Sequence, residues 1–196
     1  MSEQLRSDAP RPYGLLARTL RERRELTLEE LAAATGLSKG HLSRFERGEK
    51  ALSIAALMRV ASALNTSVSR LLGEHVDEGE LHLVRSEERM MHRSSGTDGG
   101  YSFAVLGNGK GTGEPSAFFV EIDNSARRDS DAYHAGEELI FVLSGSVEME
   151  LPDRKVVLLE GDYLQFPGYL RHVLYGRAPR SRLLVIVTGK DDRQRG

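Results

Sequence analysis

The hydrophobic residues of this chain change their spacing near residue 80, and this change restricts the fold more than any other feature. Before that point, apolar residues recur at intervals of three and four, the period of a helix with one buried face. After it they alternate with polar residues, as in Ser146–Leu151, which is the period of a strand. The sequence therefore predicts an α+β multidomain chain in which a helical domain precedes an all-β domain.

Capping residues divide the first part of the chain into five short helices. Thr27 and Glu30 have the spacing of a capping box, which would open the second helix. Gly36 tolerates the positive φ of a sharp turn, so we expect that helix to end there. Ser38 and Ser53 are placed to cap the third and fourth helices. The expected helices cover about 14–24, 27–36, 38–47, 53–64 and 67–72.

Turn residues recur every few positions in the second half, for example at Gly99-Gly100, Pro152-Asp153 and Pro167-Gly168. Short apolar segments lie between them. Short strands separated by frequent turns are typical of a β-sandwich or a barrel. The candidate strands are 102–106, 117–122, 139–143, 146–151, 156–159 and 182–187.

The composition of the chain suggests where these parts begin and end. Residues 1–12 are predicted to be a disordered tail, because Pro10 and Pro12 disfavour an early helix. The segment 74–80 is acidic and poor in apolar residues, so we expect the interdomain linker there. The predicted parts are the tail 1–12, the helical domain 13–73, the linker 74–80, the β domain 81–190 and a second tail 191–196.

Charge and cysteine content restrict the partners of the chain. It contains no cysteine, so any metal must be bound by His, Asp or Glu. Residues 1–72 hold 12 Lys and Arg against 8 Asp and Glu, whereas the remainder holds 15 against 21. A basic domain on an acidic body suits a protein that meets nucleic acid with one end. Since there is neither an apolar membrane span nor a signal peptide, we expect a cytoplasmic protein without a membrane partner.

The second and third predicted helices are joined by a tight turn at Gly36. Leu42 and Phe45 would point into the helical domain, which leaves polar and basic side chains on the outside of the third helix. The pattern resembles the lambda-repressor-like, xenobiotic-response-element class of helix-turn-helix. The residues that carry this resemblance are Leu31-Ala32, Gly36, Leu42-Ser43 and Glu46-Arg47-Gly48.

This resemblance implies a five-helix DNA-binding bundle whose third helix enters the major groove of double-stranded DNA. The basic side chains would pair with guanine edges or phosphates, and the amides at helix starts would hold phosphates. The sequence departs from the family at Leu28, where a glutamine is usual, and at Leu52, where a proline is usual. The expected DNA-binding residues are Thr27, Ser38, Lys39, Gly40, His41, Ser43 and Arg44.

Two segments of the β domain carry histidine and glutamate in a paired pattern. The first, 133–145, contains His134 and Glu138, and the second, 161–168, is followed by His172. Because His134 and Glu138 are an even number of residues apart, an extended chain can direct both to one face. The segments resemble the paired motifs of the cupin superfamily. The resemblance implies a double-stranded β-helix barrel in which these side chains converge on a metal.

Two imidazoles and one carboxylate suit Fe(II) and are also accepted by Zn, Mn, Ni or Co. The expected ligands of one divalent transition metal are therefore His134, Glu138 and His172. The cupin pattern has a further histidine where this chain has Ala132, which leaves one coordination position open. The alternative is a barrel without metal whose histidines line a pocket for an organic ligand. Tyr101 and Tyr133 are the residues that we expect to face the ligand pocket.

These features support two interpretations of function. The first is a sequence-specific DNA-binding transcription regulator, not an enzyme, whose cupin domain senses a small-molecule effector and whose helical domain moves about the linker. Since helix-turn-helix domains read two half-sites, we expect a homodimer or higher homo-oligomer. The second is a mononuclear non-haem iron oxygenase, because the His-Ala-Gly-x-Glu run resembles that of hydroxypropylphosphonate epoxidase. We favour the regulator, since an enzyme would not need the polar face of the third helix.

Overall fold

The computed structural model describes residues 12–73, 82–94, 101–107, 115–124 and 132–188. Over these residues, helices precede a β-rich domain, which confirms the predicted α+β architecture. The predicted linker (74–80), the second tail (191–196) and all but the last residue of the first tail (1–12) lie outside the described residues. None of the helices described is long and apolar enough to cross a membrane.

The helical domain has the predicted order of elements and the predicted caps. Thr27 and Glu30 form both hydrogen bonds of a capping box, and Gly36, with a φ of 67°, ends the second helix. Ser38 caps the third helix by accepting a hydrogen bond from the backbone N–H of His41. The first helix begins at Pro12, earlier than expected, because the first helical turn tolerates proline. The helices are α1 (Pro12–Arg23), α2 (Leu28–Thr35), α3 (Lys39–Glu46), α4 (Ile54–Ala63) and α5 (Val68–Leu71).

Close packing against α1 fixes the position of α3. The backbone of α1 approaches α3 so closely that a Cβ on Gly14 would lie 2.1 Å from the carbonyl oxygen of Phe45. Arg21 donates two hydrogen bonds to the carboxylate of Glu46, at 2.7 and 2.9 Å, and both side chains are buried. Because a buried ion pair is costly to break, this contact ties α1 to the C-terminal end of α3.

Alanine at two glycines of this region is expected to change stability in opposite directions. Gly36 has a positive φ, which costs an alanine about 1–2 kcal/mol, and its Cβ would lie 2.7 Å from the Tyr133 hydroxyl. Gly40 lies within α3, and a Cβ added there would have no neighbour within 4 Å, so alanine gains up to about 1 kcal/mol in helix propensity. Thermal unfolding should therefore show a lower Tm for Gly36→Ala and a higher one for Gly40→Ala. Shifts of the same sign in both variants would contradict the assigned turn.

The β domain consists of antiparallel strands in two sheets. One sheet has six described strands in the order β1-β2-β3-β9-β4-β7, and the other has three in the order β6-β5-β8. All six candidate strands are present. The structure also contains β1, β7 and β8, which the sequence does not predict. These strands have only two to five residues each, too few to show an alternating pattern. The strands are β1 (His92–Arg93), β2 (Ser102–Val105), β3 (Ser116–Ile122), β4 (Glu137–Ser144), β5 (Ser146–Leu151), β6 (Arg154–Leu159), β7 (Tyr163–Pro167), β8 (Val173–Gly176) and β9 (Ser181–Val187).

The two domains are packed directly against each other. Their buried apolar side chains form one continuous cluster. The backbone N–H of Ile54, at the start of α4, donates a hydrogen bond of 2.9 Å to the hydroxyl of Tyr101 from the β domain. The hydroxyl of Ser69 in α5 donates one of 3.2 Å to the carbonyl oxygen of Gly107. Direct contacts as well as the chain connection therefore hold the helical domain in place.

Candidate functional site

The structure brings the three predicted metal ligands together inside the β domain. His134 lies shortly before β4, Glu138 is the second residue of β4, and His172 directly precedes β8. Residues of β4 alternate between the two faces of the sheet, so Glu138 is buried and Glu137 is exposed. A backbone bridge between Ala132 and His172 joins the two segments, with N···O distances of 2.8 and 3.1 Å.

The three side chains are buried and in direct contact. Nε2 of His134 lies 2.7 Å from Oε2 of Glu138, and Nε2 of His172 lies 3.2 Å from the same oxygen. Their exposed fractions are 6% for His134, 8% for Glu138 and 4% for His172. One candidate ligand atom from each of the three residues lies within 4.8 Å of the other two. The cluster therefore has the size and the residue types of a metal site, and its use as one stays a prediction.

Backbone carbonyl groups determine which histidine nitrogen faces the cluster. Nδ1 of His134 lies 3.0 Å from the carbonyl oxygen of Ala135, and Nδ1 of His172 lies 2.8 Å from that of Leu170. Since a carbonyl oxygen only accepts hydrogen bonds, each Nδ1 carries a proton. Nε2 of His134 and Nε2 of His172 are then both directed at the same carboxylate oxygen, which is the orientation that would let all three groups hold a cation. Metal-binding histidines are held by the same kind of contact, and the residues present therefore fit a divalent metal.

The electrostatics of the cluster keep the carboxylate ionised. Burial acts to raise the pKa of Glu138, but hydrogen bonds with His134 and His172 outweigh it and lower the pKa to about 2. Burial acts to lower the pKa of His134, whereas its hydrogen bonds to Glu138 and to a backbone carbonyl raise the pKa by more. Glu138 is thus in the charge state that metal binding requires.

Two neighbours that the sequence does not predict for the site hold the imidazoles in place. Gly168 packs so closely on His134 that a Cβ would lie 2.3 Å from Cε1 of the ring, and its carbonyl oxygen accepts a hydrogen bond of 2.9 Å from the His134 N–H. The ring of Phe166 meets that of His172 edge-on at 4.9 Å. The Pro167-Gly168 pair marks a turn in the sequence, but the need for glycine beneath a histidine ring follows only from the packing.

The outward face of α3 is accessible in the full chain. Leu42 and Phe45 are buried in the helical domain, as expected for a helix with one inward face. Of the expected DNA-binding residues, Thr27, Ser38, Lys39, Gly40 and Arg44 are exposed, and His41 and Ser43 are partly buried.

Several of these polar side chains already have partners within the helical domain. Lys39 forms an ion pair with Glu29 on α2, and the hydroxyl of Ser43 accepts a hydrogen bond from Arg47. Nε of Arg44 donates one of 3.2 Å to the carbonyl oxygen of Gly40. Exposed pairs of this kind contribute little stability, so a phosphate group can replace them at little cost.

His41 lies close to three positively charged side chains. Burial lowers its pKa, and the nearby cations Lys50, Arg44 and Arg59 lower it further. Its Nε2 atom is buried without a hydrogen-bond partner among the described residues. His41 is therefore neutral at neutral pH and lies in a positive field that favours the approach of an anion.

Tyr101 and Tyr133, the expected pocket residues, both lie at the contact between the domains. Tyr101 meets α4 through its hydroxyl. The carbonyl oxygen of Tyr133 accepts a hydrogen bond of 2.8 Å from Nη1 of Arg59, whose guanidinium lies 4.5 Å from the centre of the Tyr133 ring. The sequence does not predict Arg59 for any site. The sequence feature that could have indicated a role for Arg59 is that it is the one charged residue of α4.

Comparisons with known proteins agree with this architecture. A family model described as helix-turn-helix matches residues 18–71, and one described as cupin domain matches residues 118–187. The crystal structure of an HTH_3 family transcriptional regulator from Vibrio cholerae is 24% identical and has a TM-score of 0.68, covering 93% of this chain and 97% of that chain. At this identity the similarity shows a shared fold.

A second similar structure is hydroxypropylphosphonic acid epoxidase from S. wedmorenis. It is 22% identical, with a TM-score of 0.47, and the match covers 91% of this chain and 98% of that chain. A TM-score this low supports no inference about activity. Among curated proteins, none matches the sequence significantly. The helix-turn-helix and cupin resemblances are confirmed by the family models: the chain joins an N-terminal helix-turn-helix domain to a C-terminal cupin domain.

Proposed function

We propose that this chain is a sequence-specific DNA-binding transcription regulator whose cupin domain senses a small-molecule effector. The observation that carries the proposal is the open outward face of α3 in a helix-turn-helix domain. That face is polar and basic, and the apolar side of the helix is used for packing. The excess of Lys and Arg in residues 1–72 supports the same partner.

In this proposal α3 lies in the major groove of the duplex. Lys39 and Arg44 pair with guanine edges or phosphates, and Ser38, Gly40, His41 and Ser43 contact bases or backbone nearby. Thr27, at the start of α2, places the exposed helix terminus against a phosphate. Two copies of the chain form a homodimer, so that the two α3 helices read half-sites about one helical turn apart.

The cupin domain provides the sensing site. His134, Glu138 and His172 would hold one divalent transition metal, which when bound supplies a Lewis-acid centre for an oxygen or nitrogen donor of the effector. Ala132 stands where the cupin pattern has a further histidine, which leaves a coordination position for that donor. An effector regulates DNA binding only if it binds the competent and incompetent conformations with different affinity.

A mobility-shift titration at increasing salt tests the DNA-binding part of the proposal. With the upstream region of its own gene as probe, log K should fall against log salt with a slope of about −5 or steeper, as for about six phosphate contacts. A footprint should show two protected half-sites separated by about one helical turn. The control is a duplex of the same length and shuffled sequence, which should bind more weakly. Equal binding to both duplexes would contradict sequence specificity, and retardation of neither would contradict DNA binding.

One observation favours a second candidate function, that of a non-haem iron oxygenase. The three side chains offer only two imidazoles and a carboxylate, and such a set leaves positions for substrate and oxygen. Oxygen uptake by the Fe(II)-loaded protein with hydroxyphosphonates distinguishes the two functions. Rapid uptake together with an absence of retarded DNA would favour the oxygenase.

A further inference from the structure

One arginine connects the helix-turn-helix turn to the candidate metal site. Nε of Arg59 donates a hydrogen bond of 2.8 Å to the carbonyl oxygen of Thr35, the last residue of α2. Nη1 of the same guanidinium donates one of 2.8 Å to the carbonyl oxygen of Tyr133, which directly precedes His134. A planar guanidinium is suited to hold two acceptors in fixed directions. The end of α2 and the residue before a predicted metal ligand are therefore joined through a single side chain.

The ring of Tyr133 forms a second part of the same connection. Its hydroxyl lies 2.7 Å from the position that a Cβ on Gly36 would occupy, so it packs against the turn between α2 and α3. The guanidinium of Arg171 lies 5.6 Å from the ring centre, and Arg171 directly precedes His172. Chain neighbours of both predicted histidine ligands thus meet at one aromatic ring on the helix-turn-helix turn.

A bound metal would act on this connection through His134. Nε2 of His134 and Oε2 of Glu138 are in direct contact at 2.7 Å, and a metal held by both residues would take the place of their hydrogen bond. The two side chains would then be oriented by the metal and not by each other. Tyr133 shares a peptide bond with His134 and is held by Arg59, so a change at His134 would reach the carbonyl group of Thr35 through that guanidinium.

We propose that Arg59 and Tyr133 are positioning residues through which occupancy of the His134–Glu138–His172 site changes the turn between α2 and α3. This inference rests on the proposed function, because it assumes that these three residues bind a metal. This mechanism differs from one in which the helical domain moves freely about a linker, because here the effect of the metal passes through a packed contact between the domains. The predicted coupling is reciprocal. If bound metal changes the affinity for DNA by a certain factor, bound DNA changes the affinity for metal by the same factor.

Hydrogen exchange with Co²⁺ as the probe tests this coupling in the full chain. In the wild-type protein, saturating Co²⁺ should change the exchange rate of amides at residues 35–38 by about fivefold or more, the lower end of common couplings. Arg59→Met removes the guanidinium and should abolish the response when each protein is measured at a Co²⁺ concentration that saturates it. Tyr133→Phe keeps the ring and the carbonyl group, so most of the response should remain.

The matched control is Arg70→Met, which removes an exposed arginine of the same domain and so changes the net charge equally. It should respond to Co²⁺ as the wild type does, and circular dichroism should show all variants folded. A response of Arg59→Met equal to that of the wild type would overturn the inference. So would a wild-type turn that does not respond to bound Co²⁺, or a wild-type protein that does not bind Co²⁺.

A parallel measurement of Co²⁺ affinity with and without operator duplex separates this inference from the proposed function. A wild-type exchange response that is lost in Arg59→Met, combined with no binding of duplex, would support the connection and overturn the regulator. Duplex binding combined with equal exchange responses in both proteins would support the regulator and overturn the connection.

Discussion

Arg44→Ala should weaken binding of the operator duplex by about 30-fold or more and leave the unfolding temperature nearly unchanged. One arginine–guanine contact discriminates by about 1–3 kcal/mol, and a dimer would lose two such contacts. Arg44 is exposed on the outward face of α3, and its hydrogen bond to the Gly40 carbonyl contributes little to the fold. Fluorescence anisotropy at fixed salt measures the first effect, and thermal unfolding measures the second.

Arg154→Ala is the matched control for this prediction. Arg154 is an exposed arginine on β6 that pairs with Asp153 in the cupin domain, far in sequence from α3. Its loss changes the net charge by the same amount, so any general electrostatic effect on DNA binding appears in both variants. We expect its affinity for the duplex to remain within about twofold of the wild type. Equal losses in the two variants, or no loss with Arg44→Ala, would place the DNA contact elsewhere.

The helices could be predicted because their signals are local. The capping box of Thr27 and Glu30 and the glycine turn at Gly36 depend on residues three or four positions apart. Such interactions favour the same backbone conformation whatever surrounds them. The start of α1 is the exception, since a proline in the first turn is compatible with a helix as well as with a tail.

The candidate metal cluster could be predicted in part. The even spacing of His134 and Glu138 correctly indicates that one stretch of chain directs both inward. The position of His172 in the cluster depends on the backbone bridge with Ala132, forty residues earlier, and no local sequence pattern indicates that pairing. Only the resemblance to the cupin motifs indicated that His172 belongs to the cluster. The carbonyl groups that orient the imidazoles belong to the backbone, which is the same at every residue, so these contacts could not be predicted from the sequence.

The contact between the domains could not be predicted. Arg59 and Tyr133 are 74 positions apart, and each belongs to a segment whose own pattern is satisfied without the other. The sequence favours a helical domain that moves about a linker, whereas the structure packs Tyr101 on α4 and joins the two apolar cores. An arginine in an otherwise small and apolar helix is a weak indication of such a contact, because it is equally common on a solvated face.

Glu138→Gln should lower the affinity for Co²⁺ by at least about 100-fold, since even residues outside the ligand set of a metal contribute 10-fold to 100-fold. The amide removes the negative charge between two imidazoles and leaves a weaker oxygen donor. Its size is nearly the same, so the barrel should remain folded. Calorimetric titration of protein without a histidine tag measures the affinity.

Glu137→Gln makes the same chemical change one residue away, on the opposite face of β4. Glu137 is exposed and its carboxylate accepts a hydrogen bond of 2.7 Å from Gln165, so the variant should bind Co²⁺ within about twofold of the wild type. If wild type and both variants bind equally and weakly, the cluster is no metal centre. The ionised Glu138 and the two imidazoles, each with its Nδ1 bonded to a carbonyl group, would then be charged and polar groups of a ligand pocket. A barrel with those charges would sense an organic effector directly, which is the alternative that the sequence leaves open.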